Sequence, residues 1–162
     1  MSSYPKRNLK TIFLALGDLL APRRCVVCGT ALGISEQFIC IECLADLPQT
    51  HFWELAHNPM ADHLNERLSV PDGVEEPYAH VAALFFYNSE SGYRFIPYKI
   101  KYGHGIRTGH FFGTMLGRRL RDAEAFRDVD LVVPVPLHPL RRWSRGYNQA
   151  EVIAGAVARE LG

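Results

Sequence analysis

The chain has 162 residues, of which 48% are hydrophobic and 22% charged, and its formal net charge is +1. This composition is typical of an ordinary soluble domain. No apolar run approaches the roughly 20 residues that a membrane-spanning helix needs. The sequence therefore predicts a protein with no membrane span.

Charge is distributed unevenly along the chain. Residues 46–90 contain eight acidic residues and one basic residue, whereas residues 91–145 contain eleven basic residues and four acidic ones. A basic region of this kind suggests a surface that faces an anion. The alternative is that the two regions neutralise each other or form solvated faces, and charge alone favours this alternative.

The N-terminal segment is predicted to be an amphipathic helix rather than a signal peptide. Apolar residues recur at three- and four-residue intervals between Leu9 and Leu20, and Pro22 ends the helix. Asp18 interrupts the apolar run, and no small-residue cleavage site follows it. We therefore expect a cytoplasmic protein, in which thiols stay reduced.

The cysteines form two Cys-x-x-Cys pairs, Cys25/Cys28 and Cys40/Cys43, with eleven residues between the pairs. This spacing is typical of two knuckles that supply four thiolates to one tetrahedral Zn²⁺. Gly29 follows the first pair and suits its turn, whereas Leu44 makes the second knuckle less regular. Two disulfides or a redox-active pair are the alternatives, but disulfides need an oxidising compartment and a redox motif should occur once.

The sequence divides into three parts, and the last has an α/β pattern. Residues 1–50 hold the helix and the cysteine module, residues 51–78 form a connector with one helical piece, and residues 79–162 form the α/β part. Short apolar runs predict strands at residues 80–87 and 130–136. Periodic spacing predicts helices at residues 91–102, at residues 108–121 and from Asn148, a candidate helix cap, to Leu161.

The segment between the second predicted strand and the last helix is rich in arginine. Arg141, Arg142 and Arg145 precede the helix N-terminus, where cations oppose the helix dipole. Free N–H groups there favour anions, and the guanidinium group suits phosphate oxygens. The segment is therefore a candidate anion-binding loop. The alternative is an exposed basic loop whose arginines bind nothing specific.

Four stretches of the chain together carry a family resemblance. They are Cys25-Val-Val-Cys-Gly with Cys40-x-x-Cys43 and Leu47-Pro48; Ile100-Lys-Tyr102; Val133-Pro-Val-Pro-Leu-His-Pro; and Arg145-Gly-Tyr-Asn-Gln-Ala-Glu151. This combination resembles the ComF family, bacterial proteins linked to DNA uptake in natural competence. The resemblance covers the chain from about the first cysteine to its last residue.

The resemblance implies a zinc-ribbon-like module followed by the first part of a type I phosphoribosyltransferase-like domain with a parallel sheet. In such domains the loop after the equivalent strand wraps the pyrophosphate of phosphoribosyl pyrophosphate, which is used together with Mg²⁺. The implied binding residues are Arg141, Arg142 and Arg145, with His138, Asn148 and Gln149 as weaker candidates on the same loop. The other histidines are expected to be structural or to lie on the surface.

The chain departs from the family pattern in one respect. The defining acidic pair and Thr/Gly-rich loop for the ribose phosphate are missing, since no Asp-Asp, Glu-Asp or Asp-Glu pair occurs. We therefore expect this chain to be a truncated copy or the N-terminal part of a longer protein, and to have no phosphoribosyl transfer activity by itself.

Two classes of function follow from these motifs. The first is a ComF-like protein that binds phosphoribosyl pyrophosphate or another phosphate ligand and takes part in DNA uptake. The second is a zinc-dependent adaptor that binds single-stranded DNA or competence proteins without catalysis. Aromatic residues among the basic ones, such as Tyr98, Tyr102 and Trp143, would suit the second class.

Overall fold

The computed structural model describes residues 21–68, 78–102 and 105–162. The helix predicted between Leu9 and Leu20 lies outside the described residues. The described residues form two compact units, one of residues 21–47 and 88–96 and the other of the described residues within 48–87 and 97–162. Residues 88–96 thus pack with the cysteine-bearing segment, although 40 residues of the second unit separate the two in sequence.

Helices dominate the described residues. They are α1 (Ile41–Ala45), α2 (Pro59–Leu68), α3 (Phe95–Tyr102), α4 (Ile106–Arg121), α5 (Pro139–Arg145) and α6 (Gln149–Leu161). Short 3-10 turns occur at Phe52–Glu54, Gly92–Arg94 and Glu124–Phe126. The helices predicted at residues 91–102 and 108–121 and after Asn148 are confirmed, as is a helical piece in the connector. In the described part of the chain, no helix is both long and apolar enough to cross a bilayer.

The core of the second unit lies between α4, α6 and the Phe52–Glu54 turn. Trp53, Leu120, Ala123 and Val157 are buried there in one cluster. Six half-buried apolar residues pack around it: Ala82, Leu116, Phe126, Val132, Ile153 and Leu161. Burial of these side chains is the main favourable term for this unit, because it removes apolar surface from water.

Helices α4 and α6 approach closely along a row of glycines. Gly109, Gly113 and Gly117 recur every four residues on α4, so they share one helical face. A Cβ atom at Gly113 would lie 2.9 Å from the Cβ of Ala156 and 3.1 Å from the carbonyl oxygen of Ile153. Side chains at these positions would therefore push α6 away. The glycines allow the two backbones to pack at short range.

The predicted parallel sheet is wrong. Within the described ranges the structure has no sheet, and β-bridges occur only singly, between Arg24 and Ala31 and between Gln49 and Phe85. The apolar run at residues 80–87 does not pair along its length with another strand, because side chains donate hydrogen bonds to two of its carbonyl groups. Asn58 Nδ2 donates to Val81 O at 3.0 Å, and Thr50 Oγ1 donates to Ala83 O.

The second predicted strand, residues 130–136, also lacks a partner strand among the described residues. Pro134 and Pro136 have no N–H group, so they interrupt one of its two edges. Packing of α4 against α6, rather than of helices on a sheet, buries the apolar residues of this unit. The fold is therefore mainly helical, and the α/β class is not supported.

The glycine contact generates the first testable expectation. Gly113→Ala should destabilise the protein by roughly 1–2 kcal/mol, because the overpacking penalty exceeds the gain in helix propensity. Gly155→Ala is the matched control, since a Cβ atom there has no neighbour within 4 Å. It should raise stability by about 0.5–1 kcal/mol. Urea unfolding monitored by circular dichroism measures the free energy of unfolding of both variants. Equal changes in the two variants would contradict the close packing of α4 against α6.

Candidate metal centre and candidate anion site

The structure brings the four cysteines together. Their sulfur atoms all lie within 4.8 Å of one another. Cys28 Sγ lies 3.7 Å from Cys40 Sγ, which belongs to the other pair. Four sulfurs around Zn²⁺ with bonds of about 2.3 Å would lie about 3.8 Å apart in a regular tetrahedron. The cluster could therefore hold one metal ion, and an all-sulfur donor set suits zinc.

The first knuckle is a tight turn closed by backbone hydrogen bonds. Gly29 adopts a φ of 76°, which a residue with a Cβ rarely adopts. Its N–H donates to Cys25 O at 3.0 Å, and Cys25 N–H donates to Thr30 O at 2.8 Å. The turn thus directs both thiols of this knuckle toward the same point, as the position of Gly29 predicts.

The second knuckle is built on the start of α1. Cys40 is the residue that caps this helix, and its sulfur accepts from Cys43 N–H at 3.5 Å. Cys40 N–H donates to Cys25 Sγ at 3.4 Å, which links the two knuckles. A helix start needs no glycine here, which explains why Leu44 can follow the second pair.

Glu36 braces the loop between the knuckles. Its two carboxylate oxygens accept separate hydrogen bonds, from Gly33 N–H at 2.5 Å and from Ile41 N–H at 2.7 Å. These hydrogen bonds lower the pKa of the Glu36 carboxyl below its ordinary value, and the one from Gly33 N–H has the largest effect. Glu36 was not predicted from the sequence, although an acidic residue close before a cysteine knuckle could have indicated hydrogen bonds of this kind to the loop.

A distant part of the chain completes the module. Tyr93 donates its hydroxyl proton to Cys43 O at 3.0 Å, across 50 positions in sequence. Burial raises the pKa of Tyr93, so the hydroxyl stays protonated and can donate. Neighbouring Gly92 allows close approach, because a Cβ atom there would lie 2.6 Å from Val27 O. No local pattern in the sequence indicates this contact.

The thiols differ in acidity. Hydrogen bonds to Thr30 lower the pKa of Cys28 to about 6, whereas burial raises the pKa of Cys43 above its ordinary value. Cys28 is exposed, and its sulfur lies 3.3 Å from Thr30 Oγ1. In this arrangement Cys28 is therefore a thiolate at neutral pH, and binding of a cation would release the protons of Cys40 and Cys43, whose pKa values are raised.

The predicted arginine loop folds as the short helix α5. Pro139 occupies its first turn, and His138 Nδ1 accepts from Leu140 N–H at 3.4 Å, which caps it. Gly146, with a φ of 79°, ends the helix. Arg141, Arg142 and Arg145 therefore lie on a helix, immediately before the N-terminus of α6, where Asn148 is the cap and Gln149 the first residue.

The three arginines have different partners. Arg142 Nη1 lies 3.2 Å from Glu151 Oε1 in an ion pair. Arg145 donates to Gln149 Oε1 at 3.2 Å, and its guanidinium group lies 5.2 Å from the ring centroid of Tyr102. Arg141 is exposed and makes no hydrogen bond or ion pair with the described residues. Glu151 thus neutralises one charge, and the charges of Arg141 and Arg145 remain uncompensated.

Asn148 holds this region in place. Its side chain is almost fully buried and uses both ends of its amide: Oδ1 accepts from Ala150 N–H and Nδ2 donates to Val135 O, each at 3.0 Å. Tyr147 also contributes, since its hydroxyl donates to Ile100 O. These bonds fix the start of α6 beside the arginines.

Two exposed tyrosines lie next to Arg145. Tyr98 and Tyr102 are 62% and 60% exposed, and their ring centroids lie 5.1 Å apart on α3. Trp143 on α5 is also strongly exposed. The spacing of these aromatic residues is also compatible with a buried helical face, but the structure places all three at the surface.

Comparison with known proteins assigns neither a family nor a function to this chain. No protein-family model, curated protein or solved structure matches this chain. The function is therefore inferred from the chain's own residues and their geometry.

Proposed function

We propose that this chain is a ComF-like, zinc-stabilised phosphate-binding protein. Zn²⁺ would be held by Cys25, Cys28, Cys40 and Cys43 in a structural role, since four protein ligands leave no open position for substrate. The ligand would be phosphoribosyl pyrophosphate or another phosphate compound, bound beside α6. The proposed activity is binding of the phosphate ligand, without transfer of its phosphoribosyl group.

The observation that carries this proposal is the uncompensated charge at the start of α6. Arg141 has no partner among the described residues, and Arg145 is bonded only to neutral groups, Gln149 and Tyr102. The dipole of α5 favours Arg145, which lies in its last turn, whereas the positive end of α6 disfavours nearby cations unless an anion lies between them. A phosphate group would supply that anion, and a guanidinium group can bind two of its oxygens at once.

The surrounding residues have supporting roles in this proposal. Gln149 holds Arg145 in position, while Asn148 fixes the first turn of α6 without contacting the ligand. Phosphoribosyl pyrophosphate is favoured among phosphate ligands by the resemblance to ComF proteins. It carries Mg²⁺ in solution, and this would reduce the charge that the arginines must balance. We also propose a cytoplasmic location, in which the cysteine thiols stay reduced, and, from the resemblance, a role in DNA uptake.

A second candidate function, a single-stranded DNA adaptor, is favoured by the exposed tyrosines. Tyr98 and Tyr102 offer two adjacent ring faces next to the Arg145 charge. Proteins that bind single strands combine such stacking surfaces with basic side chains on the backbone phosphates. Competence proteins are the corresponding protein partners that the resemblance proposes.

Metal content tests the zinc part of the proposal. Protein purified without chelator should contain close to one zinc per chain, and Cys40→Ser should lose it, because Cys40 supplies a thiolate and links the knuckles. Elemental analysis with native mass spectrometry measures the ratio. A metal-free protein with two intramolecular disulfides would contradict a zinc site.

Anion titration tests the phosphate site. Calorimetry with pyrophosphate should show binding that Arg145→Ala weakens roughly tenfold or more, while Arg145→Lys restores it only in part because bidentate geometry is lost. Arg127→Ala is the matched control, since Arg127 is an exposed arginine away from α5 and α6 in sequence. Equal effects of Arg145→Ala and Arg127→Ala would refute the site.

Binding of a labelled oligothymidylate to the same protein, in competition with phosphoribosyl pyrophosphate, distinguishes the two candidate functions. Under the phosphate proposal, phosphoribosyl pyrophosphate binds Tyr98→Ala as well as it binds wild type, and the oligonucleotide does not compete. Under the adaptor proposal, the oligonucleotide binds more tightly than phosphoribosyl pyrophosphate, and Tyr98→Ala weakens oligonucleotide binding.

A further inference from the structure

Arg145 is held from two sides by neutral partners. Its Nη1 donates to Gln149 Oε1 on α6 at 3.2 Å, and its Nη2 donates to the hydroxyl oxygen of Tyr102 on α3 at 3.5 Å. The guanidinium group also lies 5.2 Å from the centroid of the Tyr102 ring. A guanidinium group carries several N–H donors in a fixed fork, and in the described part of the chain these two bonds leave most of them unused. Arg145 is therefore restrained, while its charge remains available to a ligand.

Tyr102 is itself fixed relative to Arg145, because a second hydrogen bond attaches α3 to the start of α6. Tyr147 follows Arg145 by two positions, and its hydroxyl donates to Ile100 O. This carbonyl lies in the last turn of α3, where carbonyl groups lack partners within the helix. Ile100 is buried, and a Cβ atom at Gly109 on α4 would lie 3.5 Å from its Cγ2 atom. The end of α3 is thus anchored on both sides.

The hydroxyl group of Tyr102 still has a proton to donate. Its oxygen accepts from Arg145, whereas its proton has no acceptor among the residues that the structure describes. A hydroxyl group that accepts one hydrogen bond can donate another. The side chain is 60% exposed, so a ligand can reach this proton. Tyr102 Oη and Arg145 Nη2 are two donors 3.5 Å apart, and with hydrogen bonds of about 2.8 Å both reach the same phosphate group.

We propose that Tyr102 is a binding residue of the phosphate site. Its ring and hydroxyl oxygen position Arg145, and its hydroxyl proton donates to the phosphate group that Arg145 binds. This inference rests on the proposed phosphate-binding function. It adds α3 to a site that otherwise consists of the arginine-rich helix α5 and the start of α6.

Two physical effects follow from this arrangement. An arginine side chain that is held before binding loses less conformational freedom when the anion arrives, so more of the interaction free energy appears as affinity. Tyr102 holds Arg145 with a neutral group, whereas Glu151 holds Arg142 by neutralising its charge. The site thus keeps the Arg145 cation for the ligand and adds a donor that carries no charge.

Calorimetry with pyrophosphate separates the two roles of Tyr102. Tyr102→Phe keeps the ring and should raise the dissociation constant roughly tenfold, because it removes a hydrogen bond to a charged ligand. Tyr102→Leu should raise it further, by a factor of about three, because Arg145 also loses the ring beside it. Unchanged helical circular dichroism confirms that each variant folds, as expected for an exposed side chain.

The matched controls are Tyr98→Phe and Tyr98→Leu. Tyr98 lies one turn earlier on α3, is 62% exposed and makes no hydrogen bond with the described residues. Both control variants should bind pyrophosphate as wild type does. A general effect of removing an exposed tyrosine from α3 would instead weaken binding equally at the two positions.

NMR of the ligand-free protein tests the positioning role by itself. The Arg145 Nε–H resonance should shift in Tyr102→Leu, because the ring current of Tyr102 is lost. It should stay close to its wild-type position in Tyr102→Phe, which keeps the ring. An Arg145 resonance that Tyr102→Leu leaves unchanged would contradict the positioning role.

The calorimetric outcomes distinguish the role of Tyr102 from the phosphate site as a whole. Wild type may not bind pyrophosphate at all, and that result refutes the site and the role of Tyr102 together. If wild type binds and Arg145→Ala weakens binding, but both Tyr102 variants bind like wild type, the role of Tyr102 is refuted and the phosphate site stands.

Discussion

Four thiol groups within 4.8 Å of one another are the constraint on which the first unit depends. Two of the buried hydrophobic residues in its described part, Cys25 and Cys40, belong to the cluster itself, and the others are Leu32, Ile39, Leu47 and Ile96. The backbone bonds of both knuckles, the Glu36 brace and the Tyr93 contact all position sulfur atoms or the peptide groups next to them. A metal bound to such a cluster contributes folding free energy directly, about 10–16 kcal/mol in zinc-finger peptides near neutral pH.

The second unit depends on helix packing instead. The glycine row of α4 allows close contact with α6, and this contact buries Leu120 and Val157 next to Trp53. The same contact holds the N-terminal end of α6 in place, where Asn148 caps the helix and bonds to Val135. The arginines of the proposed phosphate site precede that cap. The position of the proposed anion site thus follows from helix packing and one buried amide.

Local signals in the sequence predicted part of this structure. Cysteine spacing predicted a cluster that could hold metal, and apolar periodicity predicted α4 and α6. The helix α5 was missed, although Pro139 and Gly146 are ordinary start and stop signals. The sheet was wrong because a short apolar run shows that a segment can be a strand but does not show whether a partner exists. Tyr93 was missed because its contact with the knuckle spans 50 positions, and the glycine row of α4 acquires its meaning only when α6 packs against it.

Hydrogen–deuterium exchange with and without a zinc chelator tests whether a bound metal holds the first unit together. Chelation should remove protection from residues 21–47 and 88–96, which form the described part of this unit. Protection of α4 and α6 should remain, because their packing involves no cysteine. Exchange that does not change in residues 21–47, or that rises equally in α4 and α6, would contradict the account that four thiolates and a metal hold the first unit together.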